Sequence, residues 1–270
     1  MSSHESNRGA EDHHRGRAHD VTVDALRDFE GTLAVIAGDM PLVRPDTMTQ
    51  LLDTHESSGA AATIATTVLE DPTSYGRIIR DANGRLAGIV EHRDCTPEQL
   101  EIHECNPSYY CFEKSDLFYA LARIDNNNAK GEYYITDAVS VLIQAGKIAS
   151  ALEAISADEA TGINSRRDLA TVGRMMQDRI QAEHMENGVT LVDPNTTWIE
   201  AGAQIEPDTV ILPFTFIEGS VTIGRHCRVG PFAHVRKGTV LHAGASADAD
   251  SADASCRPVS RGAKAHANTG

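Results

Sequence analysis

The sequence predicts an α/β protein in two parts, a sheet domain with crossover helices followed by a short parallel β-helix, and three observations carry that prediction. The first is an unbroken six-residue spacing of Ile199, Ile205, Ile211, Ile217, Ile223, Val229, Val235 and Leu241, which is neither a helical nor a simple strand period. The second is a small or short residue two places before each of them: Thr197, Ala203, Thr209, Thr215, Val221, Cys227, Ala233 and Thr239. One bulky and one small inward position per hexad lets three hexads close a triangular coil on which the next coil stacks. The third is a strand-helix-strand order between Thr32 and Leu69, which suggests an α/β sheet.

The elements follow in chain order. Residues 1–18 are polar, offer no apolar face and are expected to be disordered, with His4, His13 and His14 as solvated tail residues. Val21 to Phe29 reads as helix-like. Thr32 to Ala37 is an apolar run of the kind found in buried parallel strands, ending at Gly38-Asp39. Pro45-Asp46 opens a helix with Met48, Leu51 and Leu52 on one face, and Gly59 closes it. Ala61 to Leu69 is the next strand. Asp81-Ala82-Asn83-Gly84 between Arg77–Arg80 and Arg85–Val90 is a hairpin signal. A strand is expected at Tyr109 to Phe112, and helices at Ser115 to Leu121, Thr136 to Ala145 and Arg166 to about Glu183, the last with Leu169, Val172, Met176 and Ile180 at helical spacing. Pro207, Pro213, Gly219, Pro231 and Gly238 fall where coil corners need turn residues, and two to three coils are present. After Leu241 the pattern fails, because Ala247 stands where a bulky aliphatic belongs. The divisions are therefore 1–18 tail, 19–184 sheet domain, 185–244 β-helix and 245–270 low-complexity tail.

Bulk properties narrow the partners. With 39 acidic against 24 basic residues the formal charge is −15, which argues against a nucleic-acid polymer or an anionic membrane surface. A single nucleotide needs only local positive charge or a metal. The five cysteines, irregularly spaced, read neither as a disulfide framework nor as a zinc site, which suits a reducing cytoplasm. No apolar run approaches the roughly 20 residues of a spanning helix, and the polar N-terminus has no signal-peptide core.

Asp39 is the first chemical candidate, because open α/β sheets bind ligands just beyond strand ends. A hard cation such as Mg²⁺ takes one or two protein oxygens and completes its shell with water and phosphate. A turn aspartate capping the next segment is the alternative. Tyr75-Gly76-Arg77, Glu91, Asn106, the run Asn126 to Asp137, and Gly162-Ile163-Asn164 are further polar or glycine insertions at element ends. Each has a plain account as a turn, a loop or, for Thr136 and Asp137, a helix cap.

Taken together, LAVIAGDMPLV, DPTSYGRIIR, GIVEHRD, ECNPSYYCF, NNNAKGEYYITDAV, TGINSRRDLA and the hexads ending VGPFAHVRKG resemble the bifunctional N-acetylglucosamine-1-phosphate uridylyltransferase/glucosamine-1-phosphate acetyltransferase family, GlmU, over residues 21–241. The resemblance implies an incomplete Rossmann-like nucleotidyltransferase domain followed by a short left-handed parallel β-helix that forms a homotrimer. It implies transfer of a uridylyl group from UTP to N-acetylglucosamine 1-phosphate, giving UDP-N-acetylglucosamine, a cell-envelope precursor. Asp39 and Asn164 would hold Mg²⁺ as the catalytic pair. Gly38, Tyr75, Gly76, Glu91, Asn106 and Asn164 would line the substrate.

The chain departs from the family at both ends. The glycine-rich LAAGxGTRM loop that cradles the triphosphate has no counterpart, and of the uracil-contacting stretch only Gly16 and His19 match. Arg236 matches one residue of the acetyltransferase site, while the histidine base and its companions would lie beyond Leu241, so acetyl transfer is not expected. A missing N-terminal polypeptide, a fragment or a frameshifted gene would each account for this. Loss of the first strands would also leave an unpaired sheet edge. Two other readings stand beside the uridylyltransferase: a non-catalytic sugar-nucleotide-binding or oligomerisation remnant, and a nucleotidyltransferase for another sugar 1-phosphate.

Overall fold

The computed structural model describes residues 25–128 and 131–249. Its contacts divide the chain into two units, Met1–Ile163 and Asn164–Gly270. The N-terminal tail with its histidines, the start of the Val21–Phe29 segment and residues 250–270 lie outside the described residues.

In the first unit, β1 (Thr32–Ile36), β2 (Ala62–Val68), β3 (Gly76–Arg80), β4 (Leu86–Val90), β5 (Glu104–Glu113) and β6 (Ala149–Glu153) form one sheet. The helices are α1 (Pro45–Ser58), α2 (Pro97–Leu100), α3 (Lys114–Leu121) and α4 (Ile135–Gln144). The ladder runs β4-β3-β5-β2-β6, and β1 pairs with β5 on the edge that β3 leaves free. Because β1 and β2 both run antiparallel to β5, they are parallel to each other, joined by the crossover helix α1. The expectation of a crossover therefore stands, but the expectation of a buried parallel strand at Thr32–Ala37 does not. That strand is antiparallel to its neighbour, and Ile36 is 39% exposed. The cause is its position: among the described residues β1 is paired on one edge alone.

Alternation along β5 divides the core. Tyr110 and Phe112 face a cluster with Ile64, Ile78, Leu117, Val139 and Leu142, so α3 and α4 cover that face. Tyr109 and Cys111 face Leu51, Ala65 and Met40 on the α1 side. β5 is longer than the expected Tyr109–Phe112 because Asn106-Pro107-Ser108 reads as a breaker. Pro107 is tolerated because it falls where β5 passes from β3, paired through Cys105 and Asn106, to β1, paired from Tyr109 onward. The hairpin forms as expected, although its loop is a four-residue turn with Gly84 at φ 78° and Asp81 Oδ1 accepting from the Asn83 and Arg85 amides. β6 went unread, since its small residues carry little apolar signal.

In the second unit α5 (Arg166–Glu186) leads into ten short strands: β7 (Thr190–Leu191), β8 (Thr197–Ile199), β9 (Gln204–Ile205), β10 (Val210–Ile211), β11 (Thr215–Ile217), β12 (Thr222–Ile223), β13 (Arg228–Val229), β14 (His234–Val235), β15 (Val240–Leu241) and β16 (Ser246–Ala247). They build three parallel ladders, β7-β10-β13-β16, β8-β11-β14 and β9-β12-β15. This is a parallel β-solenoid of about three turns, with all eight periodic aliphatics buried. The corners are residues in the left-handed region at a strict six-residue interval: Gly202, Asp208, Phe214, Ser220, His226, Phe232, Gly238 and Gly244. Pro207, Pro213, Gly219 and Pro231 each stand one place before such a corner, where proline or glycine suits the first central position of a turn.

Three sequence readings are corrected here. The repeat does not end at Leu241, because β16 pairs with β13 and buries Ala247. The boundary expected at 184/185 falls instead before α5, which packs with the solenoid through Ile180. The buried face of α5 is Val172, Gln177 and Gln181, while Leu169 is 55% exposed. Gln177 donates to the Ile199 carbonyl at 2.8 Å and accepts from its amide at 2.9 Å, and Gln181 donates to the Thr197 carbonyl at 2.7 Å. These bonds satisfy the terminal edge of β8, so polar residues are buried where an apolar stripe was expected.

Candidate functional site

Three of the expected site residues meet at one end of the first unit's sheet. Gly76 opens β3 and stands opposite Asn106 in the β5 ladder. A Cβ on Gly76 would lie 3.1 Å from Ile89 Cγ2, a tight contact, and 3.5 Å from Glu91 Oε1, an ordinary one, so Gly76 and the Glu91 carboxylate are neighbours at this strand end. Glu91 immediately follows β4, and Thr136 near the start of α4 donates to its Oε1 at 3.1 Å.

Asn106 is buried. Its Nδ2 donates to the Tyr110 hydroxyl at 2.6 Å, and its Oδ1 accepts from the Ser108 amide at 3.0 Å. Ser108 holds a left-handed φ of 67°. Burial pushes the Tyr110 phenol up to about 12, and the nearby Glu91 charge acts in the same direction.

The turn before β3 presents Tyr75. Asp71 Oδ1 accepts from the Thr73 amide, Ser74 sits at φ 74°, and the Tyr75 amide closes the turn onto the Pro72 carbonyl at 3.1 Å. Hydrogen bonds from Thr73 hold the Asp71 carboxyl below its usual range. Arg77, buried and with no carboxylate bonded to it among the described residues, donates through Nη1 to the carbonyls of Pro72 at 2.7 Å and Tyr75 at 2.5 Å. The Tyr75 hydroxyl donates to the Ala160 carbonyl at 2.6 Å. Burial raises the Tyr75 phenol above its ordinary value, and the charge of Asp39 adds to the rise.

Asp39 follows β1 with Gly38 beside it, both exposed. Its backbone carbonyl accepts from the Ile163 amide at 2.9 Å. The segment leading to Ile163 is fastened by Glu159, a buried carboxylate accepting from the Arg44 amide at 3.0 Å, Thr47 Oγ1 at 2.8 Å and Ser156 Oγ at 2.9 Å. No hydrogen bond or ion pair among the described residues occupies the Asp39 carboxylate. It caps no helix either, since α1 begins only at Pro45. An exposed, uncommitted carboxylate suits a hard cation, and Mg²⁺ needs only one or two such oxygens when phosphate completes its shell. Among the described residues no group of three or more His, Cys, Asp or Glu is arranged to hold a metal by itself. Asn164, the other expected ligand, is the first residue of the second unit, where its amide donates to Asp168 Oδ2 at 3.1 Å.

Beside Glu91 opens a cleft of about 450 Å³ lined by Asp94, Asp125, Asn128, Tyr134 and Asp137. Burial raises the Asp137 carboxyl, with Asp125 and Asp94 adding to the effect. Apart from Arg123, whose guanidinium lies over the Tyr119 ring, the charged groups of this wall are acidic, which suits hydroxyl and amide groups better than phosphate. Sequence reasoning did not single out Thr136 or Tyr110, the first read as a helix cap and the second placed only within an expected strand. The only signal for Thr136 was its place in a polar run, and Tyr110 gave none that distinguished it from Tyr109.

The nucleotidyl transferase family matches residues 6–179, and bacterial transferase hexapeptide repeats, six of them, match residues 197–237. The chain is similar to bifunctional protein GlmU of Geobacillus thermodenitrificans (strain NG80-2), 46% identical over 84% of this chain and 50% of that protein. It is 45% identical to bifunctional protein GlmU of Geobacillus sp. (strain WCH70), over 82% of this chain and 49% of the relative. The GlmU protein of Clostridium acetobutylicum is 40% identical over 83% of this chain and 49% of its own length. The chain thus spans about half the length of the curated relatives it matches.

Proposed function

The chain belongs to the nucleotidyl transferase family, and on that premise we propose that it takes UTP and N-acetylglucosamine 1-phosphate to UDP-N-acetylglucosamine and pyrophosphate. The observation that carries the reading is the meeting of Gly76, Glu91 and Asn106 at one end of the sheet. A glycine strand end, a carboxylate and a buried amide are the groups that recognise an acetamido sugar. Glu91 accepts from sugar hydroxyls, and the Asn106 amide meets the acetamido group. Tyr75 and Gly38 complete the wall.

In this reading a phosphate oxygen of the sugar phosphate attacks the α-phosphorus of UTP, the bond to the β-phosphate breaks, and pyrophosphate leaves. No protein nucleophile is required, so the chain contributes binding and alignment. Asp39 is proposed to be a ligand of Mg²⁺, which would neutralise phosphate charge when bound. The four described cysteines, all free thiols, suit a cytoplasmic protein. Among the described residues no helix is long and apolar enough to cross a membrane. The solenoid is proposed to assemble as a homotrimer.

The test is pyrophosphate release from UTP, N-acetylglucosamine 1-phosphate and Mg²⁺ by the 270-residue chain and by its Asp39→Asn variant. Release by the parent and not by the variant is expected. Equal release would remove Asp39 from the site. No release from a folded parent that still binds the sugar phosphate would favour a binding module.

A further inference from the structure

The orientation of the Asn106 amide is fixed from two sides. The Ser108 backbone N–H can only donate, so the group facing it at 3.0 Å is the amide oxygen. The amide nitrogen is thereby turned toward Tyr110, whose hydroxyl accepts at 2.6 Å. Flipping the amide would set two donors against each other at Ser108. The Tyr110 ring cannot follow a movement of its partner, since it stacks on Phe112 with centroids 5.7 Å apart and lies in the cluster with Ile64, Ile89 and Val139. Asn106 and Tyr110 are only 4% and 1% exposed. In such surroundings an unpaired hydroxyl or amide N–H is costly, so the pair holds itself together. What remains to Asn106 for a ligand is one N–H and one oxygen lone pair, in a set direction.

We propose that Tyr110 is a positioning residue for sugar specificity: by accepting from Asn106 it holds the remaining amide N–H for the carbonyl of an N-acetyl group. An acetamido carbonyl only accepts, so it depends on the direction of that N–H, which Ser108 alone holds less tightly once the Tyr110 hydroxyl is gone. A hydroxyl in its place both donates and accepts and is less sensitive to that direction. Loss of the Tyr110 hydroxyl therefore lowers affinity for the N-acetyl sugar selectively. The inference rests on the amino-sugar reading proposed above.

The experiment is calorimetric titration of the 270-residue chain and its Tyr110→Phe variant with N-acetylglucosamine 1-phosphate and, separately, glucose 1-phosphate. The parent is expected to prefer the N-acetyl compound. The variant, which keeps the buried ring, should lose about fivefold of that preference, the worth of one hydrogen bond between neutral groups. A preference that survives intact, or an equal loss of affinity for both sugars, makes Tyr110 a packing residue and overturns the proposal. Asn106→Ala provides the second control. It should remove the preference, and adding Tyr110→Phe to it should change nothing further, because the two act as one unit. Additive losses in the double variant would also overturn the coupling. A parent that binds both sugars equally would sink the amino-sugar reading itself, and this inference with it.

Discussion

One added methyl at Gly76 meets two neighbours at once, the Ile89 side chain at 3.1 Å and Glu91 Oε1 at 3.5 Å. The contact with Glu91 is an ordinary one, but Ile89 is a core residue and yields little, so Gly76→Ala strains the strand end that carries the site. Affinity for N-acetylglucosamine 1-phosphate should fall about tenfold, with a stability loss of about 1 kcal/mol, read by calorimetry and thermal unfolding. An unchanged affinity would separate this strand end from the ligand. A second residue couples the same sheet to pH. Burial works to raise the Glu104 carboxyl, but hydrogen bonds from Arg80 at 2.6 and 2.8 Å and from Thr66 at 2.8 Å outweigh it and leave it below its ordinary value. A depressed carboxyl adds stability above its unfolded pKa and loses it as pH falls through the folded one. Glu104→Gln should therefore be less stable at pH 7 by on the order of 1 kcal/mol, with the gap closing in acid; a gap that persists at pH 3 would assign the loss to packing. Gly76, Glu91 and Asn106 are legible as polar or glycine insertions at element ends, which the family resemblance joins into one proposed substrate wall. Thr136 and Tyr110 are not, because a threonine near a helix start and one of two adjacent strand tyrosines look ordinary until the third dimension supplies their partners.

Among the elements, α5 shows how a one-dimensional pattern can point to the wrong stripe. Leu169, Val172, Met176 and Ile180 keep helical spacing, yet of these only Val172 is fully buried, and it is joined by two glutamines that complete the hydrogen bonding of β8. A solenoid's first coil has open backbone edges, and the amide of glutamine can both donate and accept. Gln177→Leu keeps the volume and leaves the Ile199 N–H and C=O without their partner. That should cost about 2 kcal/mol in the unfolding of the second unit. The single tryptophan reports it, because Trp198 lies against Gly173 of α5, 3.9 Å from where a Cβ would stand. A urea midpoint by Trp198 fluorescence identical to the parent's would mean that water satisfies the edge. β5 and β1 teach the complementary lesson. The partner change at Pro107 is invisible in sequence, and so is the exposure of β1, because periodicity reports which residues are apolar but not which edges find partners.

At the scale of the whole molecule, the hexad spacing makes the solenoid legible over almost its full length, from Thr197 onward. It hides the first coil, where the ladder steps 20 residues from Thr190 to Val210 rather than the 18 from Val210 to Arg228, because an extra turn at Pro194–Thr196 breaks the phase. The corners hold a conflict that a lone chain does not resolve. Phe214 and Phe232 occupy left-handed corners with φ of 58° and 59°, a conformation costing roughly 1–2 kcal/mol for a bulky residue. They stack at 5.0 Å yet remain 56% and 64% exposed. Stacking returns part of the strain, but glycine or asparagine would serve the corner better, and exposed aromatics gain most when another surface covers them. The proposed trimer would do so. Phe232→Asn separates the two contributions, because asparagine tolerates the left-handed region while removing the ring. The isolated subunit should then unfold no earlier than the parent in dilute solution, while self-association weakens. Sedimentation velocity over a concentration series should show the parent moving toward three times the 29.1 kDa chain mass and the variant remaining nearer to one. Identical sedimentation of the two would remove this corner from the interface, and a parent that stays monomeric throughout would remove the trimer.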